Sequence, residues 1–204
     1  EILSKDPAVL LSNKVWEIYT AFSNELKPLY EPIDRGNRLY FAGRREQNPS
    51  KPMPSDANST MRMSYGTIKG YSPADAVEYD YFTTSRGILE KNNPESTEFN
   101  VFPSFLELIK KGDWGRWADK KDGKLHVAFI STNDITGGNS GSPVFDKNGR
   151  VFGLAFDGNW EAMSGDIEFE PNLQRTIVVD IRYVLFTIDK WGKCSRLIDE
   201  MTIK

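Results

Sequence analysis

The sequence predicts a mainly β fold with α, an antiparallel β-barrel preceded by a helical segment. Apolar side chains recur at helical spacing near the N-terminus, and a stretch rich in proline and polar residues then ends that pattern. Beyond it, short apolar strands alternate with turn residues, which is what an antiparallel barrel leaves in a sequence. At 204 residues the chain can bury one good core or two small ones.

Asp6 and Pro7 form a helix-start signature, with Asp6 as N-cap and Pro7 at the first helical position. Val15, Ile18, Tyr19, Phe22, Leu26 and Leu29 follow with the period of one buried stripe, which Trp16 extends. Pro28 and Pro32 break or bend the pattern, so Arg35 to Gln47 is expected as a second helix with Leu39, Tyr40 and Ala42 inward. Residues 1–47 are therefore a helical segment, and its aromatic residues serve packing. Residues 48–57, with Pro49, Pro52 and Pro54, read as a linker.

Residues 58–204 carry the β pattern. Met61, Met63 and Tyr65 alternate with Arg62 and Ser64, the period of a half-buried strand. Tyr79 to Thr84 suits another strand, and Ser85 to Lys91 and Pro103 to Lys111 suit short helices, the second with Phe105, Leu108 and Ile109 on one face. Asp122 and Gly123 make a turn before a strand from Leu125 to Ser131. Thr176 to Ile181 is β-branched enough for a buried strand, and Arg182 to Lys190 suits a terminal helix ending before Gly192.

A formal charge of −3 and an isoelectric point of about 5.4 give no basic field for nucleic acid. Runs such as Tyr183 to Ile188 are far too short for a membrane span. The single cysteine, Cys194, excludes an intrachain disulfide and reads as structural. No signal peptide is visible and the chain opens on Glu1, which suggests a processed piece.

The chain is organised around Thr136 to Asp157. Gly137 and Gly138 lead into Asn139, Ser140 and Gly141, so a tight turn exposes one hydroxyl. Val144 and Phe145 then run through the turn composition Asp146 to Gly149 into a strand from Arg150 to Phe156. A nucleophilic serine needs this setting, because the N–H groups of Gly138 and Ser140 can meet a tetrahedral oxyanion. The alternative is a Gly/Ser surface turn.

Residues Gly138 to Pro143 resemble the nucleophile loop of chymotrypsin-clan serine peptidases, with Asn139 and Ser142 replacing the Asp and second Gly of the digestive enzymes. That hexapeptide also fits glutamyl endopeptidases. More specifically, Gly153 to Lys193, Pro54 to Tyr71, and Tyr81 to Thr84 through Gly87 resemble the bacterial dipeptidyl-peptidase 7 and 11 family, serine peptidase family 46. The resemblance implies a chymotrypsin-like barrel from an incomplete double-barrel peptidase, with residues 1–47 the end of an inserted helical domain. It implies Ser140 as nucleophile and Asp157 as the carboxylate for a substrate's N-terminal amine; by itself Asp157 could equally be a turn or cap residue. An arginine at position 158 resembles the acidic-substrate type, whereas Gly158 implies a pocket for hydrophobic or uncharged residues before the scissile bond.

Ser140 also needs a base and an orienting acid. The one histidine, His126, lies 14 positions before Ser140 on an expected strand and reads as a surface or packing residue. The resemblance implies that the triad His and Asp come from a missing N-terminal half of the same polypeptide, which leaves this chain nearly inert alone. Glu161, Asp166, Glu168, Glu170 and Asp180 fit no calcium-loop spacing and read as a solvated acidic rim, while Ser142 and Ser164 read as structural. No metal or cofactor is called for. The expected function is release of N-terminal dipeptides from oligopeptides, in the periplasm or at the surface of a Gram-negative bacterium, with a possible homodimer by resemblance. A glutamyl-endopeptidase-like enzyme and a noncatalytic peptide-binding module are the alternatives.

Overall fold

A computed structural model describes residues 3–51, 53, 59–165 and 167–204. The chain divides into two compact units, Glu1–Met61 and Arg62–Lys204. Most of the expected linker, and Asp166 of the expected acidic rim, lie outside the described residues.

The first unit is built on one helix, α1 (Pro7–Gln47), of 41 residues. Asp6 caps it as expected, its Oδ1 accepting the N–H groups of Ala8 at 2.8 Å and Val9 at 3.2 Å. Pro28 and Pro32 lie inside the helix, so the two-helix expectation is corrected. A proline removes one backbone bond from a turn without necessarily ending the helix, and strong formers such as Glu25, Leu26 and Lys27 precede these two. The stripe expected to be buried is also corrected. Val15, Ile18, Phe22 and Leu29 are 58–63% exposed, and none of the described residues of α1 is buried.

The second unit contains two antiparallel sheets. In the small one, β1 (Tyr71–Ala74) pairs with β2 (Val77–Tyr79). The larger uses β3 (Phe82–Thr84), β4 (His126–Ser131), β5 (Pro143–Phe145), β6 (Val151–Gly158) and β7 (Thr176–Asp180) in the order β3-β4-β7-β6-β5. This sheet is open, with β3 and β5 at its edges, and no closed barrel forms among the described residues. Met61, Met63 and Tyr65 do not form the expected strand; they are 97, 84 and 88% exposed. Sheet contact begins only afterwards, where Ile68 bridges Ser131 and the Lys69 N–H donates to the Ile130 carbonyl at 3.2 Å.

Between β3 and β4 run α2 (Ser85–Lys91) and α3 (Pro103–Lys111), and after β7 come α4 (Ile181–Phe186) and α5 (Ser195–Asp199). A single π-type turn, Thr187–Trp191, continues α4, so the terminal helical run ends before Gly192 as expected. Phe105 and Ile109 of α3 pack with Trp117, Leu125, Leu185, Phe186 and Ile198 into the main apolar core. The Trp117 indole N–H is satisfied inside this core by Asp189 Oδ2 at 2.8 Å.

Asp180 is not part of an acidic rim, because it is buried and caps α4 by accepting the Arg182 N–H at 2.8 Å. The Arg182 guanidinium then reaches Asp180 Oδ2 and Asp119 Oδ2, each at 2.6 Å. This bond, helped by the Lys121 N–H, holds the Asp119 carboxyl down to about 2. A carboxylate depressed on folding stabilises above its ordinary value near 4, and that contribution is lost as pH falls through the folded value. Asp119→Asn is therefore expected to lower stability at neutral pH and to flatten its dependence between about pH 4 and pH 2. Urea unfolding across that window measures both, and a variant with the parent's stability and pH slope would contradict the assignment.

Candidate active site

The loop after β4 is shaped by glycines. Gly138 has φ +99° and Gly141 φ +83°, conformations that exclude most side chains, and Ser140 stands exposed between them. Asn139 closes the turn: its Oδ1 accepts the Thr136 N–H at 3.0 Å and its own N–H donates to the Thr136 carbonyl at 3.2 Å. Two bonds then lock the loop onto β6. The Gly141 N–H donates to the Ala155 carbonyl at 2.7 Å, and the Ala155 N–H returns to the Ser142 carbonyl at 2.8 Å. Ser142 takes part in this lock through its main chain.

The next residue on β6 is the decisive one. The β6–β7 register slips between Ala155 and Asp157, leaving Phe156 as a bulge. The Ser140 hydroxyl donates to the Phe156 carbonyl at 3.2 Å. Ser140 and the corner formed by Asp157 and Gly158 are therefore gathered at one end of β6. Asp157 is exposed and its Oδ1 accepts the Gly158 N–H at 2.8 Å. Gly158 is half-buried, and a Cβ there would lie 3.0 Å from the Ala162 Cβ, so a side chain at this corner needs Ala162 to give by a few tenths of an ångström.

His126 is not brought to the serine. Phe156 lies level with Ile177 and Val178 of β7, which face Ile130 and Phe129 of β4. His126 is thus two strands to the side and three to four residues along, about 10 Å by about 12 Å. It is a packing residue, 7% exposed, stacked on Phe82 at 4.1 Å between ring centroids and bonded through Nε2 to Asp122 Oδ2 at 3.0 Å.

Among the described residues, Asp119, Asp122 and His126 have donor atoms close enough to share a cation, all within 4.8 Å. Their needs are met already, by Arg182 on Asp119 and by the Asp122–His126 bond itself. Two other carboxylates expected at an acidic rim, Glu170 and Glu161, serve local structure. Glu170 Oε1 accepts the Asn172 N–H at 2.9 Å, and Glu161 is half-buried and bonded to Tyr71 and Asn159.

Sequence reasoning missed the residues that buttress the corner. Arg175 is 2% exposed and directs its five N–H bonds to five carbonyls, those of Lys69, Gly70, Pro171, Asn172 and Gln174, at 2.7–3.2 Å. Burial draws its pKa down from the ordinary guanidinium value. Burial likewise pushes the Tyr71 phenol up, with Glu161 beside it adding to the shift and Asn159 opposing it. An isolated arginine before a strand carries no sequence signal for such a role.

The Peptidase S46 family matches residues 1–203. The chain belongs to the S46 peptidases. Among S46 relatives, dipeptidyl-peptidase 7 of Porphyromonas gingivalis is 60% identical over 98% of this chain. The Asp/Glu-specific dipeptidyl-peptidase of the same organism is 48% identical over 100% of it. In each case the chain spans 28% of the relative's length. The crystal structure of Porphyromonas endodontalis DPP11 in complex with the dipeptide Arg-Glu is similar with a TM-score of 0.81 and 41% identity, over 96% of this chain and 28% of that one.

The packing role of His126 is testable. His126→Ala removes the stacked ring and leaves Asp122 without its partner, and is expected to cost about 1–3 kcal/mol in urea unfolding. A variant as stable as its parent would contradict it.

Proposed function

We propose that this chain is the C-terminal part of a serine dipeptidyl aminopeptidase that releases N-terminal dipeptides from oligopeptides. The observation that carries the proposal is the placement of an exposed serine on a glycine-shaped loop beside the Asp157–Gly158 corner of one strand. Membership of the S46 family and relatives that are dipeptidyl-peptidases support it.

Ser140 Oγ attacks the carbonyl carbon of the second residue's peptide bond while a base takes its proton. That proton passes to the leaving amine, and water then hydrolyses the acyl-enzyme. The N–H groups of Asn139, Gly141 and Ser142 are used within the loop and on β6, whereas those of Gly138 and Ser140 have no such acceptor among the described residues. These two are the oxyanion donors, and one such donor is worth about 100–1,000-fold in rate. The base and its orienting Asp come from a missing N-terminal half, so the chain alone is nearly inert. Residues 1–47 then end an inserted helical domain, 48–57 form a linker, and 58–204 supply the strands of a chymotrypsin-like second barrel.

Asp157 holds the substrate's α-ammonium by a charge-assisted hydrogen bond, which fixes the cut two residues from the N-terminus. Beside Gly158, Ala162 lines a cavity of about 10 Å³, room for about one water, with Asn133, Asp134, Ile135, Gln174, Arg175 and Thr176. Arg175 is a cation in this lining, but all five of its N–H bonds are committed to carbonyls, so it offers none to an acidic side chain. Gly158 itself supplies no cation, so the preference is for hydrophobic or uncharged residues before the scissile bond. A periplasmic or cell-surface location and a homodimer fit such an enzyme. No described helix is long and apolar enough to cross a membrane.

In the full-length polypeptide, Asp157→Ala is expected to abolish cleavage of dipeptidyl reporters while leaving the thermal midpoint within a few degrees. Acetylating the reporter's amine should do the same to the parent. Cleavage that survives both changes would instead indicate an endopeptidase. Across reporters varied at the residue before the scissile bond, uncharged ones should be cleaved best, and a panel led by Asp or Glu would contradict the proposed preference.

A further inference from the structure

Four residues behind the Asp157–Gly158 corner meet in a closed ring of side-chain and main-chain contacts. Tyr71, the first residue of β1, donates its hydroxyl to Glu161 Oε2 at 2.8 Å. Asn159, directly after Gly158, donates Nδ2 to the same oxygen at 2.8 Å. Asn159 is joined to Arg175 in both directions, its N–H to the Arg175 carbonyl at 2.9 Å and the Arg175 N–H to its Oδ1 at 2.7 Å. The Arg175 guanidinium closes the circuit by lying 5.5 Å over the Tyr71 ring.

We infer that this ring of Tyr71, Glu161, Asn159 and Arg175 positions the Asp157–Gly158 corner relative to Ser140, and so sets how tightly a peptide N-terminus is held. Asn159 is the link to the corner and has no freedom of its own. Besides the bonds to Glu161 and Arg175, its Nδ2 donates to the Leu173 carbonyl at 2.8 Å and its carbonyl accepts the Ala162 N–H at 2.9 Å. The β6–β7 ladder, in register at Gly158 and Thr176 and continued by the Asn159 N–H bond to the Arg175 carbonyl, joins the turn after β6 to the approach to β7, but no ladder joins either to the start of β1. The ring's side chains therefore carry that third link. Such a network is cooperative, because deleting one member leaves its neighbours with unpaired polar atoms. Tyr71, Asn159 and Glu161 are half-buried and Arg175 is buried, so water replaces the lost bonds poorly.

The ring matters for catalysis only if the site binds peptide as proposed, so the test separates the two. In the full-length polypeptide, steady-state kinetics on a dipeptidyl reporter with an uncharged second residue are compared for the parent, Tyr71→Phe, Glu161→Ala, Glu161→Gln and Ser140→Ala. Tyr71→Phe deletes one oxygen and keeps the aromatic face under Arg175. It and Glu161→Ala are expected to raise KM about tenfold with kcat within about threefold, the signature of lost binding rather than lost chemistry. Glu161→Gln, which keeps an acceptor, is expected to recover most of the loss. A Ser140-dependent parent whose Tyr71→Phe and Glu161→Ala variants keep the parental KM would overturn the ring's role. So would a Glu161→Gln variant no better than Glu161→Ala, or a loss confined to kcat. A parent whose cleavage survives Ser140→Ala would overturn the peptidase proposal itself, and this inference with it.

Discussion

The site depends on the pair of main-chain hydrogen bonds that fasten Gly141 and Ser142 to Ala155. They make the serine loop an extension of β6, so the position of Ser140 is fixed by a strand that is itself paired on both sides. The bulge at Phe156 then turns a sheet into a site. An unbroken ladder commits its carbonyls to neighbouring strands, whereas the slipped register offers the Phe156 carbonyl to the serine hydroxyl.

Two arginines support this arrangement in opposite ways. Arg182 is paired with Asp119 and Asp180, and ties the start of α4 to the turn before β4 by charge. Arg175 is more deeply buried, and its guanidinium donates to carbonyl oxygens and lies over the face of Tyr71. A buried cation is costly unless every N–H is met, and five carbonyls meet this one. That arrangement spends the arginine's donors on structure.

Much of the second unit was legible in the sequence, because its elements carry local signals. Pro103 starts α3 and Gly112, at φ +67°, ends it, and Thr176 to Asp180 alternate in burial as a half-covered strand should. The serine loop and the corner after β6 were legible from glycine placement together with family resemblance. Other features are properties of pairing and leave no mark on one segment. Met61 to Tyr65 alternate like a strand but have no described partner strand, and the Phe156 bulge exists only as a mismatch between β6 and β7. Arg175 was illegible for a related reason, since its acceptors lie on two stretches about a hundred residues apart. The stripe on α1 was correctly periodic yet is uncovered in this chain, because periodicity identifies a face and not what packs on it.

The central claim is that Ser140 is the activated hydroxyl of a serine peptidase. Treating the full-length polypeptide with a fluorophosphonate and mapping the adduct by peptide mass spectrometry tests it most directly. The account predicts stoichiometric modification on the peptide containing Ser140 and none on that residue after denaturation. An adduct on another serine, or a folded protein that takes up no label, would contradict it.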